Sequence, residues 1–248
     1  MTLIEILKSK MAIGIFSKTI DSSYVEASGL AGLDFIILDQ EHGPISSETL
    51  HNHVRAGEIR KMATIVRVKG TDAHSIGSAL DSGATGIQVP NINTAEQARV
   101  AVNAARFHPK GNRGVCRFVR AASYGSTNKN EYFEKSNEAV VVLQVEGLEG
   151  VKNIDDILNV PGYDVLFIGP YDLSQSVGKP GEVSSPEVLD LIEIIANKAN
   201  KKGVLLGAFC DTPESLKMLK NNGFRYIAYS VDINIYLEAC KELIRHSK

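Results

Sequence analysis

At 248 residues, with 44% hydrophobic and 23% charged side chains, the chain has ample material for a core and too much for a disordered polymer. A formal net charge of −2 gives no electrostatic reason to expect nucleic acid or an anionic membrane, and no apolar run reaches membrane-spanning length. Three scattered cysteines, Cys116, Cys210 and Cys240, argue against a disulfide framework and for a reducing cytoplasm.

In chain order, MTLIEILKSK reads as a short amphipathic helix without the layout of an export signal. Short β-branched runs then alternate with segments of helical period. The expected strands are Met11–Phe16, Asp34–Leu38, Ala63–Arg67, Gly86–Val89, Ala139–Val145, Asp164–Ile168, Val204–Phe209 and Arg225–Tyr229. Helical stretches include Ser47–Lys61, Thr94–Phe107, Pro186–Lys202, Thr212–Asn222 and Asp232–Arg245. Strands alternating with helices imply right-handed crossovers and a parallel sheet. Runs such as FIIL (35–38) and VLFI (165–168) suit strands buried on both faces. Eight such units in one domain of this length favour a closed (β/α)8 barrel of the TIM type, with an open doubly wound sheet as the alternative. The stretch His108–Asn137 breaks the rhythm with Lys110, Arg113, Arg117 and Arg120 among glycines. A loop that long is usually functional or mobile.

In a barrel the chemistry sits where strands end. The second strand runs into LDQEHGP (38–44), the third ends at Arg67, the fifth closes as LQVEG (143–147) and the sixth opens into IGPYDLS (168–174). Asp39, Glu41, His42, Arg67, Gln144, Glu146 and Asp172 would therefore gather round one mouth. Gln144 and Glu146 are two apart on a strand and share a face. Glu146 and Asp172 could offer two carboxylates to a hard divalent cation such as Mg2+ or Mn2+, leaving coordination positions open for a 2-oxo acid. Arg67 would neutralise an enolate, and His42 would shuttle protons with Asp39 or another carboxylate fixing its tautomer. Each has a plainer reading. Asp172 fits an N-cap, Glu146 a solvated strand end, Arg67 a surface ion pair and His42 a turn residue. His51 and His53 point apart on a helix and are discounted. No dinucleotide fingerprint, P-loop or GxSxG elbow is present.

Taken together, AGLDFIILDQEHGP (31–44), IVRVKG (65–70), ALDSGATGIQVPNINTAEQA (79–98), RGV (113–115), QVEGLEGVKNIDDIL (144–158) and GYDVLFIGPYDLSQSVGKPG (162–181) resemble the HpcH/HpaI family of class II pyruvate aldolases. The resemblance implies a (β/α)8 barrel assembled as a homo-hexamer, with C-terminal helices (here 232–246) exchanged between neighbours. It implies a divalent cation, Mg2+, Mn2+ or Co2+, held by Glu146 and Asp172. Arg67 would steady pyruvate and its enolate, beside Gln144 and the Gly169-Pro170-Tyr171 turn. His42 would be the acid/base group with Asp39 as its partner. Asp81 would reach a neighbouring subunit's site. The substrates implied are pyruvate and an aldehyde. The chain departs from the family's usual pattern at Phe16, where tryptophan is common, at Tyr171, which replaces alanine in GPADLS, and at Gly147. Two other readings stand beside the aldolase. One is a lyase or decarboxylase of the same barrel group acting on an oxaloacetate-like or acyl-CoA substrate. The other is a subunit that binds an oxo acid without turnover.

Overall fold

The computed structural model describes residues 1–247. Its eight strands are β1 (Ala12–Ser17), β2 (Phe35–Asp39), β3 (Ala63–Arg67), β4 (Gly86–Val89), β5 (Val140–Val145), β6 (Val165–Ile168), β7 (Leu205–Cys210) and β8 (Tyr226–Val231). They pair in parallel and in sequence order, and β8 closes back onto β1. The closed barrel is therefore present, and the open sheet is not. Every expected strand overlaps an observed one, because buried β-branched runs between turn signals leave the chain little else to form.

Strand alternation divides the core in two. Odd-facing residues such as Ile36, Leu38, Val66, Ile87, Val141, Leu143 and Leu166 pack outward against the helices. Their neighbours Phe16, Phe35, Ile37, Ile65, Val142, Phe167 and Tyr226 fill the barrel. Phe35 and Tyr226 stack there with centroids 4.1 Å apart. Gly14 and Gly207 leave the room: a Cβ on either would meet the ring of Phe35 at 2.5 Å or of Tyr226 at 2.7 Å. The helix Leu3–Ser9 plugs the lower end with Leu3 and Leu7, and Arg225 donates to its last carbonyl groups. Polar residues at strand starts are stitches at this rim. Asp34 accepts from the Ile13 amide at 3.0 Å and Asp164 from the Val141 amide at 2.8 Å.

The long connection after β4 is more ordered than its sequence suggests. It holds a 3-10 segment, Arg120–Gly125, and a helix, Lys129–Ser136. Its arginines are spent within the chain. Arg113 pairs with Asp81 and lies over the Phe107 ring, Arg117 donates to the carbonyls of Gly125 and Thr127, and Arg120 holds Glu58 and the Ser82 carbonyl. Arg113 and Arg120 pin the loop to the barrel's flank, and Arg117 ties the loop to itself. His53, discounted from sequence, is fully buried and its Nε2 lies 2.9 Å from the Thr19 carbonyl.

Candidate active site

The inward parity of each strand reaches its upper end intact, and there the apolar filling gives way to polar groups. Phe35 and Ile37 are followed inward by Asp39, Ile65 by Arg67, Val142 by Gln144 and then Glu146, Phe167 by Gly169. The same count places Gln88 on β4, Phe209 on β7 with Asp211 just beyond its end, and Ser230 on β8 at the mouth. A cavity of about 420 Å³ opens there, lined by Arg67, His42, Gln144, Tyr171 and Asp172 together with Phe16, Lys18, Phe209, Asp211, Ser230 and Asn234.

Asp39 and Arg67 are register partners on β2 and β3, so their side chains stand next to each other on the inner face. Arg67 donates from Nε and Nη2 to the two oxygens of Asp39 at 2.9 and 2.7 Å. Lys18 adds its ammonium 3.4 Å from Asp39, and the third guanidinium nitrogen of Arg67 lies 3.2 Å from Glu41. Burial would raise the Asp39 carboxyl; the hydrogen bonds and charge of Arg67, the His42 amide and Lys18 outweigh it and hold it below the usual carboxylate range. Arg67 also lies 4.7 Å from the centre of the Phe16 ring, a cation–π contact that fixes the guanidinium from a second side.

This corrects one expectation. Asp39 does not touch the imidazole of His42. Its Oδ1 accepts the backbone N–H groups of Glu41 and His42 at 3.1 and 3.2 Å, folding the turn that carries the histidine, while its charge is committed to Arg67. The His42 ring is exposed on the rim, with Nε2 3.9 Å from Glu41. Asp81 lies away from this mouth, at the far end of the helix Ala73–Asp81, where Arg113 holds it.

Glu146 is buried and surrounded by donors. Gln144 donates to its Oε2, and the Asn91 amide donates to Oε1 at 2.8 Å. Asn91 takes a left-handed φ of 58° to aim that amide inward, and its side chain reaches Glu41 at 3.3 Å. Gln144 is oriented in turn by Gln88. Burial nevertheless pushes the Glu146 carboxyl up to about 7, and the neighbouring charges of Asp172 and Glu41 add to the rise against those hydrogen bonds. Gly169 is the cradle on its other side, since a Cβ there would lie 2.5 Å from Glu146 Oε2. Glu146 and Asp172, near enough that the charge of one raises the carboxyl of the other, and with Asp172 lining the cavity, are hard oxygen donors that fit a divalent cation with open positions.

Several mouth residues were not singled out from sequence. Lys18 follows β1 by one residue, and its loop is set by Asp232, which accepts from Ser17 Oγ at 2.7 Å and from the Lys18 amide at 3.1 Å. Ser230 sits at φ 64°, where the β1–β8 register slips. Asp211 accepts the Tyr171 hydroxyl at 2.6 Å. Counting two residues on from Phe209 would have found Asp211; nothing local announces the partners of Asp232.

The family profile described as HpcH/HpaI aldolase/citrate lyase matches residues 12–239, which take in all eight strands. This chain belongs to that family. The 2-dehydro-3,6-dideoxy-6-sulfogluconate aldolase of Pseudomonas putida is 33% identical over 94% of this chain and 91% of its own length. The hydroxypyruvate/pyruvate aldolase of Paraburkholderia phytofirmans is 32% identical over 89% of this chain and 86% of its own. A solved HpcH/HpaI aldolase/citrate lyase family protein from Burkholderia cenocepacia J2315 has a TM-score of 0.93 at 30% identity, covering 99% of this chain and 98% of that one. As a member of this family with aldolases matching it over most of its length, the chain is a carbon–carbon lyase of the aldolase kind.

Proposed function

We propose that the chain is a divalent-metal-dependent aldolase that joins C3 of pyruvate to the carbonyl carbon of an aldehyde, or cleaves the resulting 4-hydroxy-2-oxo acid. The observation that carries this reading is the buried Glu146, whose carboxyl is raised by burial and by the nearby charge of Asp172, next to a cavity lined by Asp172, Arg67 and Gln144. The name of the Paraburkholderia relative, an aldolase of hydroxypyruvate and pyruvate, supports the donor. Glu146 and Asp172 would hold the cation, Mg2+, Mn2+ or Co2+, whose Lewis acidity would acidify C3 of a 2-oxo acid.

The chain's own residues supply the rest. Arg67, held rigid by Asp39 and Phe16, places a fixed positive charge where an enolate oxygen develops negative charge. Gln144, locked between Gln88 and Glu146, orients the carboxylate end of the donor. His42 is the proton-transfer group: it takes a proton from C3 and returns one to the aldehyde oxygen once the C–C bond has formed. In this arrangement the carboxylate nearest the imidazole is Glu41, 3.9 Å from Nε2, and not Asp39. The long amphipathic helix Asp232–His246 buries only Asp232 and exposes Ile233, Tyr236, Leu237, Leu243 and Ile244, which supports assembly as a homo-oligomer.

Loss of the pyruvate methyl signal in D2O, followed by NMR, tests the donor half-reaction without an acceptor. Chelator-stripped protein is expected to be inactive, to gain exchange on adding Mn2+ or Mg2+, and to lose it with Glu146→Gln. A folded, metal-loaded protein that exchanges nothing would refute the aldolase reading. Exchange that ignores both metal and the substitution would refute the assigned site.

A further inference from the structure

Resting on the aldolase reading, we infer that the hydrogen-bonded pair Tyr171–Asp211 selects the acceptor, restricting it to short, neutral aldehydes that carry hydroxyl groups. Three observations converge on this pair. The first is position. Tyr171 and Asp211 line the 420 Å³ cavity and also a second cavity of about 220 Å³ behind it, whose other walls include Leu189, Ile192, Cys210, Met218 and Leu219. Together with Pro170 and Phe209, which also line both, the pair forms the partition between a polar reaction chamber and a mostly apolar recess. It is braced, since the Tyr171 ring meets Phe209 edge-on at 5.8 Å and Phe209 lies 6.0 Å from Phe16. Intact, it ends the chamber at a size near the lower bound for small-molecule sites.

The second is charge. The lysine and arginine lining the chamber, Lys18 and Arg67, are engaged by Asp39 and Glu41. Asp211 has a neutral partner, the Tyr171 hydroxyl, so its negative charge is not cancelled. An acceptor ending in a carboxylate or sulfonate would face that charge and be disfavoured. The third is hydrogen-bonding capacity. The Tyr171 hydroxyl donates its hydrogen bond to Asp211, leaving its own lone pairs and the other Asp211 oxygen as acceptors, which match hydroxyl hydrogens on a sugar-like aldehyde.

The test uses the metal-loaded full chain with excess pyruvate and three acceptors: glyceraldehyde, succinic semialdehyde and pentanal. Each aldol rate is divided by the same protein's pyruvate exchange rate in D2O, which separates acceptor effects from damage to the donor site. The wild type is expected to prefer glyceraldehyde at least tenfold in kcat/KM over both others. Asp211→Asn is expected to raise succinic semialdehyde relative to glyceraldehyde at least fivefold. Tyr171→Ala is expected to join the two cavities and raise pentanal by a similar factor, with Tyr171→Phe keeping the wall but lowering the glyceraldehyde preference. A wild type that favours the anionic or the apolar acceptor would overturn the proposal. So would normalised ratios that do not move in the Asp211 and Tyr171 variants. Absence of exchange in the wild type would instead remove the aldolase reading, and this proposal with it.

Discussion

Asp39→Asn isolates the ion pair at the heart of the mouth. The substitution preserves the side chain's shape and removes its charge, leaving buried Arg67 with Glu41 as its nearest counter-ion at 3.2 Å. Removing one partner of a buried pair typically costs about 3–5 kcal/mol. The surviving Glu41 contact, and an Asn oxygen still able to accept one hydrogen bond, reduce this to roughly 2–3 kcal/mol. At about 2–4 °C per kcal/mol for a domain of this size, the melting midpoint should fall by roughly 4–12 °C. The assay is urea and thermal unfolding at pH 7, repeated at lower pH. The sign follows from linkage. The Asp39 pKa is depressed in the folded state, so its contribution is complete above the unfolded value of about 3.9 and disappears as pH falls through the folded value. The gap between wild type and Asp39→Asn should therefore narrow only in acid, below the ordinary carboxylate range. A loss under about 1 kcal/mol at pH 7, or a gap that is the same at pH 7 and in strong acid, would refute the reasoning. Adding Glu41→Gln should cost more than the sum of the two single substitutions, because Arg67 then loses its remaining partner.

Two further outcomes can be checked with the same protein. Desolvation lowers the pKa of buried His53, against the favourable Thr19 carbonyl and the more distant charges of Asp232 and Asp21. The unfolded chain takes up a proton below about pH 6.5 that the folded chain refuses, so stability should decline with falling pH by up to about 1.4 kcal/mol per unit. His53→Gln should flatten that slope between pH 6.5 and 5 in chemical denaturation, and an unchanged slope would show that His53 is already protonated in the fold. Gly169→Ala would press a methyl carbon to within 2.5 Å of Glu146 Oε2 and 2.9 Å of its Cβ. Calorimetric titration should show Mn2+ affinity reduced by at least tenfold with the melting midpoint little changed, whereas wild-type affinity would mean that Glu146 is not a ligand.

Local covalent geometry carries much of this protein's information, and that part was legible in the sequence. The two-residue period of a strand fixes which side chains face inward, so Asp39, Arg67, Gln144 and Glu146 could be placed at one mouth once the strands were recognised. The same rule places Asp211 at the mouth, two residues on from inward Phe209. Partner choice is a different matter. Asp39 binds Arg67 because β2 and β3 pair in register, and that register is set by closure of the whole barrel. Asp232 organises the Lys18 loop across more than two hundred residues of chain, and the basic stretch after β4 spends its arginines on Glu58, Asp81 and backbone carbonyls. Tyr171 looked like an isolated departure until the fold set it against Asp211. The strands, the inward parity and the chemical types at the mouth follow from the order of residues, because they depend on bonds between neighbours along the chain. Which charges neutralise one another and which are left for a ligand follows from the folded barrel, because it depends on contacts between segments far apart along the chain.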